Sequence, residues 1–348
     1  MSTIKAIRKM AIRGKPAPAP RPVVGHRPRA RRAPMRHVRL AAPFDGLFGP
    51  LPPEVAAIPS MMTEHERRFI FNLARNYYLG EGRIVDAGLF LGASTCCFGA
   101  GLRANPRSCD ILAHWPRPIV SLEQGTVNPG MLAFFKRHSV ASGLNVGESF
   151  VPVLEKHISP WRDLVDLRVG DIRATGAVSE PVEILFLDVL KLPAISEYAI
   201  RQYFPRLLPG RSVVVQQDYL IDELPYIRTH QEFFGAHFEF LGEIASSAIF
   251  RCTAPITQAD IEALFSSPLS VDSQLRLATA AMRRSLDPYR RMMLALSRVR
   301  MIHQLQGIKV AQRYLDALER QYARQIQEMQ LKRVHNALRA VRQLCQRL

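Results

Sequence analysis

Four acidic residues stand at or just beyond the ends of four short apolar runs in this 348-residue chain: Asp86, Glu123, Asp171 and Asp188. If the runs are parallel strands, these acids line the carboxyl edge of a sheet, where open α/β sheets bind their ligands. A carboxylate after the second strand can accept hydrogen bonds from both hydroxyls of a ribose, and one after the third can face an adenine amino group. One such acid is commonplace. Four on consecutive strands form a pattern that solvated loops produce only occasionally. The first opens the stretch Asp86-Ala87-Gly88-Leu89-Phe90-Leu91-Gly92-Ala93-Ser94. Gly88 and Gly92 permit a tight turn and a close approach of backbone to ligand. The helix that follows presents free N–H groups at its start. The spacing differs from Gly-x-Gly-x-x-Gly, so the usual dinucleotide fingerprint is absent.

The elements needed to position those acids follow from the pattern of apolar residues. Strands are expected over 83–87, 118–123, 164–169, 183–188 and 211–216, with helices over 94–103, 130–142 and 194–204. This alternation argues for a parallel sheet covered on both faces. A helix near 225–234 then leads to strands 237–243 and 246–253, whose short connection makes them antiparallel. The expected fold is α/β: a Rossmann-like, mostly parallel seven-stranded sheet with an antiparallel last strand. Thr63-Glu64-His65-Glu66 reads as a capping box that opens a helix running to about Tyr78.

Residues 1–50 are rich in Pro, Arg and Ala and cannot build a core, so they read as a disordered basic arm. The α/β domain is placed at 51–255, and 256–348 reads as a basic helical extension. Within it, Leu315, Leu318 and Tyr322, and again Leu331, Val334, Leu338, Val341, Cys345 and Leu348, follow helical spacing. That stripe predicts either a coiled coil joining two copies of the chain, or amphipathic helices folded back on the body.

The formal charge of +17 is unevenly spread. Residues 1–40 hold 12 Lys+Arg and no acids, residues 273–348 hold 16 Lys+Arg and 4 acids, and the middle is mildly acidic at −7. Basic ends suit nucleic acid, anionic lipid or an acidic partner, and also plain soluble tails. The five cysteines show neither a CxxC pair nor metal-ligand spacing, which fits a reducing compartment. With no Sec-type signal visible, the expected location is cytoplasmic. The one stretch that could be mistaken for a membrane span, 84–102, contains Asp86 and several glycines, so no span is expected.

The segment from about Thr63 to Thr253 resembles the class I S-adenosylmethionine-dependent methyltransferases. Gly88-x-x-x-Gly92-x-Ser94 is similar to the turn of catechol-type and macrolide-sugar O-methyltransferases. Phe186-Leu187-Asp188-Val189-Leu190-Lys191 looks like the catechol-type Phe-Leu-Asp-x-x-Lys segment, and Leu207-Leu208-Pro209-Gly210 before Val213-Val214-Val215 looks like the usual entry to the fifth strand. The resemblance implies S-adenosylmethionine as cofactor, with Asp86, Gly88, Gly92 and Ser94 around its methionine end, Glu123 on the ribose and Asp171 near the adenine. Asp188 would lie beside the transferred methyl and would be a Mg²⁺ ligand in metal-dependent relatives. Lys191 would be the base for an acceptor hydroxyl on a small molecule or glycan. Those relatives place two further ligands after the fifth strand, where this chain has Gln216-Gln217-Asp218. An ungapped comparison puts Gln216 and Gln217 there, and a one-residue shift puts Gln217 and Asp218. Glutamine is a poorer magnesium ligand than a carboxylate, so Mg²⁺ is the less favoured arrangement, and Lys191 would then need a depressed pKa to act as base.

Two other readings follow from the same residues. The fold could serve as a binding or assembly module whose working part is the helical extension, or as a nucleic-acid methyltransferase drawing on the basic ends. Against the second, no Asn/Asp-Pro-Pro-Tyr motif and no interleaved aromatic and basic stretch is present. His157, His230 and His237 have no partner spacing, Cys96-Cys97 reads as packing, and Trp115 and Trp161 read as loop or rim residues.

Overall fold

A computed structural model of the chain describes residues 38–40, 44–141, 143–285, 287–328 and 332–346. Its centre is a sheet of strands β1 (Val38–Leu40), β2 (Arg83–Ala87), β3 (Ile119–Glu123), β4 (Val165–Val169), β5 (Val182–Leu187), β6 (Val213–Gln216), β7 (Phe238–Ile244) and β8 (Ser247–Cys252). They lie in the order β1-β7-β8-β6-β5-β2-β3-β4. The run β6-β5-β2-β3-β4 is parallel throughout. The chain steps outward from β2 to β4, then returns to the other side of β2 through β5 and β6. That reversal opens a crevice at the carboxyl ends of β2 and β5. β8, the last strand in the chain, is antiparallel to both β6 and β7. Only Ala245 and Ser246 separate β7 from β8, and Ala245 turns at φ +47°.

Alternation along the strands explains why they read as unbroken apolar runs. Ile84, Ile119, Ile184 and Val213 face one layer, and Val85, Val120, Leu185 and Val214 face the other. The helices that cover the sheet are α1 (Pro53–Ala56), α2 (Glu64–Asn72), α3 (Ala93–Arg103), α4 (Ser108–His114), α5 (Pro129–His138), α6 (Val151–Ile158), α7 (Ile172–Thr175), α8 (Pro193–Tyr203) and α9 (Pro225–Phe233). The expected capping box is formed: the Glu66 N–H donates to Thr63 Oγ1 (3.3 Å), and the Thr63 N–H donates to Glu66 Oε2 (2.8 Å). Near the amino end of the central strand β5, Glu183 is completely buried. It accepts from the N–H groups of Leu79 (2.8 Å) and Glu81 (2.7 Å) and pairs with Arg211 (2.9 Å).

Regular structure is present earlier in the chain than the sequence suggests. β1 adds an eighth strand, antiparallel to β7, inside the segment expected to be arm. Phe44 and Leu47 are buried in the core, and Phe44 packs against Tyr77 (centroids 4.9 Å apart). The sheet edge at β7 offers unpaired backbone groups that a short strand can satisfy, whatever the composition around it. The arm expected before it, residues 1–37, lies outside the described residues. Trp161, expected at a rim, is buried against Gly99 of α3.

The C-terminal extension consists of α10 (Gln258–Phe265), α11 (Val271–Arg284), α12 (Pro288–Gln306), α13 (Ile308–Gln321), α14 (Ala323–Glu328) and α15 (Lys332–Gln346). Leu315, Leu318, Tyr322, Val334, Leu338, Val341 and Cys345 are buried together with Met292, Leu296 and Val299 of α12. Within one chain the described part of the apolar stripe is thus packed against α12, inside the extension itself. The side chains of Leu331 and Leu348 lie outside the described residues. α11 and α12 rest on α9. There the buried guanidinium of Arg228 donates to the Tyr219 carbonyl and to Ser297 Oγ, and Arg300 pairs with Asp222 (2.7 Å). Among the described residues no helix is long and apolar enough to cross a membrane.

Candidate functional site

A cavity of about 530 Å³ opens at the carboxyl ends of β2, β3, β4 and β5, within the usual size range of small-molecule sites. Gly88, Glu123, Asp171, Asp188 and Lys191 line it. A second, much smaller pocket adjoins it between the 59–62 segment and the glycine turn, and Ser94 lines that one.

The two glycines of the turn have different jobs. Gly88 sits at φ +91°, and a Cβ there would lie 2.7 Å from the carbonyl carbon and oxygen of Asp188. It is the close contact that brings the ends of β2 and β5 together beneath the cavity. Gly92, also at φ +91°, precedes the first turn of α3. Its missing Cβ would meet Ile158 Cγ2 at 2.8 Å and Leu154 Cδ1 at 2.9 Å, both on α6. Gly92 thus serves helix packing and does not line the cavity, contrary to its expected place against a cofactor. Between them Phe90 takes φ +50°, unusual for a bulky residue. Its N–H donates to Glu123 Oε2 (2.7 Å), and its ring stacks on Phe135 (5.6 Å, 8°) with Phe134 and Phe150 edge-on. Phe90 forms one wall of the cavity, while Leu91 is buried and its carbonyl meets His157 Nδ1 (2.8 Å).

Asp86 lies below this turn and not on the cavity. Its Oδ2 accepts from Ser94 Oγ (2.8 Å) and Thr95 Oγ1 (2.5 Å), tying the end of β2 to the first turn of α3. Its other oxygen, Oδ1, is buried without a hydrogen-bond partner among the described residues. Burial pushes the carboxyl up to about 7; the two hydroxyls oppose this and the charge of Glu123 adds to it. A carboxyl that holds its proton more tightly when folded stabilises the protein fully below its unfolded pKa, and that contribution fades as pH rises through the folded value. Between about pH 4 and pH 7, the folded state binds the extra proton, so stability falls with rising pH. We expect Asp86→Asn, which cannot ionise, to gain stability relative to the native chain by at least about 1.4 kcal/mol across that interval, the equivalent of one unit. Urea midpoints of both proteins at the two pH extremes measure it, and an unchanged difference would refute the assignment.

Glu123 is held from both sides. Oε2 takes the Phe90 N–H, and Oε1 takes the Gly125 N–H (3.1 Å). Burial raises its pKa, and the backbone donors hold it down. The carboxylate is thereby fixed in orientation on the cavity wall, with lone pairs left for a ligand. Asp171 caps α7 through the Arg173 N–H (2.9 Å) and is gripped by the Arg173 guanidinium at 2.6–3.1 Å. The Arg173 hydrogen bonds bring this exposed carboxyl down to about 2. Any amino group facing Asp171 meets an acid already paired, and Arg173 itself lines the cavity. Nothing in the sequence pattern singled out Arg173, except its position two residues after a helix-capping acid.

Asp188, Lys191 and Asp218 meet at the mouth. Lys191 Nζ bonds to Asp188 Oδ1 (2.8 Å) and to Asp218 Oδ2. Burial alone would lower the lysine pKa, but the two carboxylates outweigh it and the net shift is upward. The depressed pKa needed for a lysine base is thus reversed, and the group is held as an ammonium. Burial raises the Asp188 carboxyl, with Lys191 opposing. Of the two ways of reading Gln216-Gln217-Asp218, the structure brings Asp218 to the site. Gln216 Nε2 donates to Gln231 Oε1 (3.0 Å), while Gln217 accepts from Ser247 Oγ, whose hydroxyl also reaches Glu66 (2.8 Å). These residues do not fit a magnesium ion. The lysine ammonium fills the space between the two carboxylates, and neither glutamine turns towards it. No group of three or more His, Cys, Asp or Glu suited to a metal gathers among the described residues.

No protein-family model matches this chain. No curated protein matches it either. A solved structure described as cofactor-bound Rv0187 from MTB is similar over 57% of this chain and 85% of its own, at 17% identity and a TM-score of 0.35. So loose a likeness concerns the course of the chain and bears on no residue's role.

Proposed function

We propose that this chain binds S-adenosylmethionine in the cavity at the ends of β2 to β5 and transfers its methyl group to a hydroxyl of a small molecule or glycan. The observation that carries the reading is Glu123. Its carboxylate, on the strand next to β2, is fixed by two backbone N–H groups and turned to the cavity, as recognition of a ribose diol requires. Asp171 and Arg173 would then flank the base, and Gly88 and the pocket under residues 59–62 would take the amino-acid end.

When bound, the cofactor would supply an electrophilic sulfonium methyl, open to an acceptor oxygen, with the C–S electron pair left on sulfur. The protein's own part is positioning and charge. The Lys191 ammonium, beside Asp188, would orient the acceptor oxygen and stabilise its developing negative charge. Asp188, whose proton affinity burial has raised, would take the hydroxyl proton, and Asp218 would hold Lys191 in place. This moves the role of base from Lys191, where the sequence suggested it, to Asp188.

Isothermal titration of the folded protein with S-adenosylmethionine tests the reading. The expected Kd lies between about 1 μM and 1 mM, the range in which enzymes commonly hold substrates. No heat at millimolar cofactor, with the protein shown to be folded, removes the proposal. Binding without methyl transfer to any hydroxyl acceptor would favour the binding-module reading, which the anchoring of α12 to α9 and to the loop after β6 supports.

A further inference from the structure

The helical extension carries a further concavity, well separated in sequence from the residues of the two pockets above. One face of α11, recurring as Asp272, Leu275–Arg276, Thr279–Ala280 and Arg283, lines a groove of about 680 Å³ with Arg298 of α12 opposite. Several arginines of the α/β domain sit in ion pairs, among them Arg83, Arg168, Arg201 and Arg211. Arg284, at the end of the groove, is likewise taken by Glu232 (2.8 Å). The other three are different. Among the described residues, Arg276 reaches only Ser273 Oγ (2.8 Å) and Arg283 has no carboxylate partner. Arg298 lies over the Tyr314 ring (4.5 Å to the centroid), with its Nε buried and lacking a hydrogen-bond partner among the described residues. Residues 1–40 contain no acid, so that arm cannot supply the missing counter-charge.

We propose that this groove is a binding site for a small phosphate-bearing ligand, a phosphate monoester or pyrophosphate. Three uncompensated guanidiniums against the one carboxylate of Asp272 leave two positive charges. A phosphate monoester carries about −1.5 to −2 at neutral pH, whereas a carboxylate would cancel only half of that charge. The guanidinium fork also matches phosphate oxygens two at a time. Tyr314 is covered by Arg298, and among the described residues the groove offers no open aromatic face on which a base could stack. Recognition therefore falls on the phosphate, which argues against single-stranded nucleic acid as the occupant.

Titration calorimetry of the full chain tests the site, with pyrophosphate as the first probe and a single-stranded oligonucleotide and phosphoinositide-containing vesicles as parallel arms. Pyrophosphate should bind, and Arg276→Gln and Arg283→Gln should each weaken it at least about tenfold, the loss of one charge-assisted contact. Both side chains are exposed on a helix, so the urea midpoint should stay where it is. Vesicles that bind and lose affinity in the same variants would identify a lipid headgroup as the carrier of the phosphate. Three results would overturn the proposal: no pyrophosphate binding at low salt; equal binding by both variants, which moves the contact to another basic segment; or an oligonucleotide that binds more tightly per phosphate and depends on the same arginines.

Discussion

Glu123→Ala should abolish measurable binding of S-adenosylmethionine and of S-adenosylhomocysteine, a loss of at least about a hundredfold. Two hydrogen bonds from ribose hydroxyls to a carboxylate, at about 1.5–3 kcal/mol each, account for that magnitude. The same substitution frees the Phe90 and Gly125 N–H groups, so a loss from collapse of the turn must be told apart from a loss of recognition. Glu123→Gln does this. It keeps the shape and one acceptor oxygen, and it should bind with an intermediate loss of about tenfold. The native chain should prefer S-adenosylhomocysteine to its 2′-deoxy analogue, and the glutamine variant should lose most of that preference. Equal affinity of native protein and Glu123→Gln for the two ligands would contradict the placement of the ribose.

The other large effect concerns stability. Glu183→Ala should lower the unfolding free energy by about 3–5 kcal/mol, the cost of stripping one partner from a buried ion pair. Arg211 would lose its carboxylate, and the Leu79 and Glu81 N–H groups would lose their acceptor. A urea titration should show a lower midpoint with an unchanged slope. Each group is the other's counter-charge, so Glu183→Leu combined with Arg211→Met should be less damaging than Glu183→Ala alone. If the single and double variants cost the same, the charge on Arg211 is not what Glu183 holds.

Much of the fold was legible because it is written locally. The boundaries expected for β2 agree with the structure, since Ile84-Val85 is flanked by polar residues and ended by Asp86 and a glycine. The capping box at Thr63 needs only residues three apart. The antiparallel final strand followed from a connection too short for a crossover. The short helices α4, α6 and α7 were not legible, because four to eight residues carry too little periodicity to stand out from loops. β1 was hidden for a different reason: it is held by the edge of β7, and its own residues give no sign of that.

At the candidate site the division is sharper. The sequence by itself determined that acids stand at or just beyond the ends of β2, β3, β4 and β5, and that glycine occurs where the backbone must take positive φ, because strand ends and turns depend on near neighbours. Which acid faces which partner was decided only by tertiary structure. Gly88 and Gly92 have the same φ, yet one lies against the backbone of Asp188 and the other against α6. Lys191 is paired with Asp218, 27 residues away, only because β5 and β6 are adjacent. That contact changes the lysine from a candidate base into a fixed positive charge. Charges a few ångströms apart in a low-dielectric site govern proton affinity, and such distances are set by strand order, which spacing along the chain does not encode.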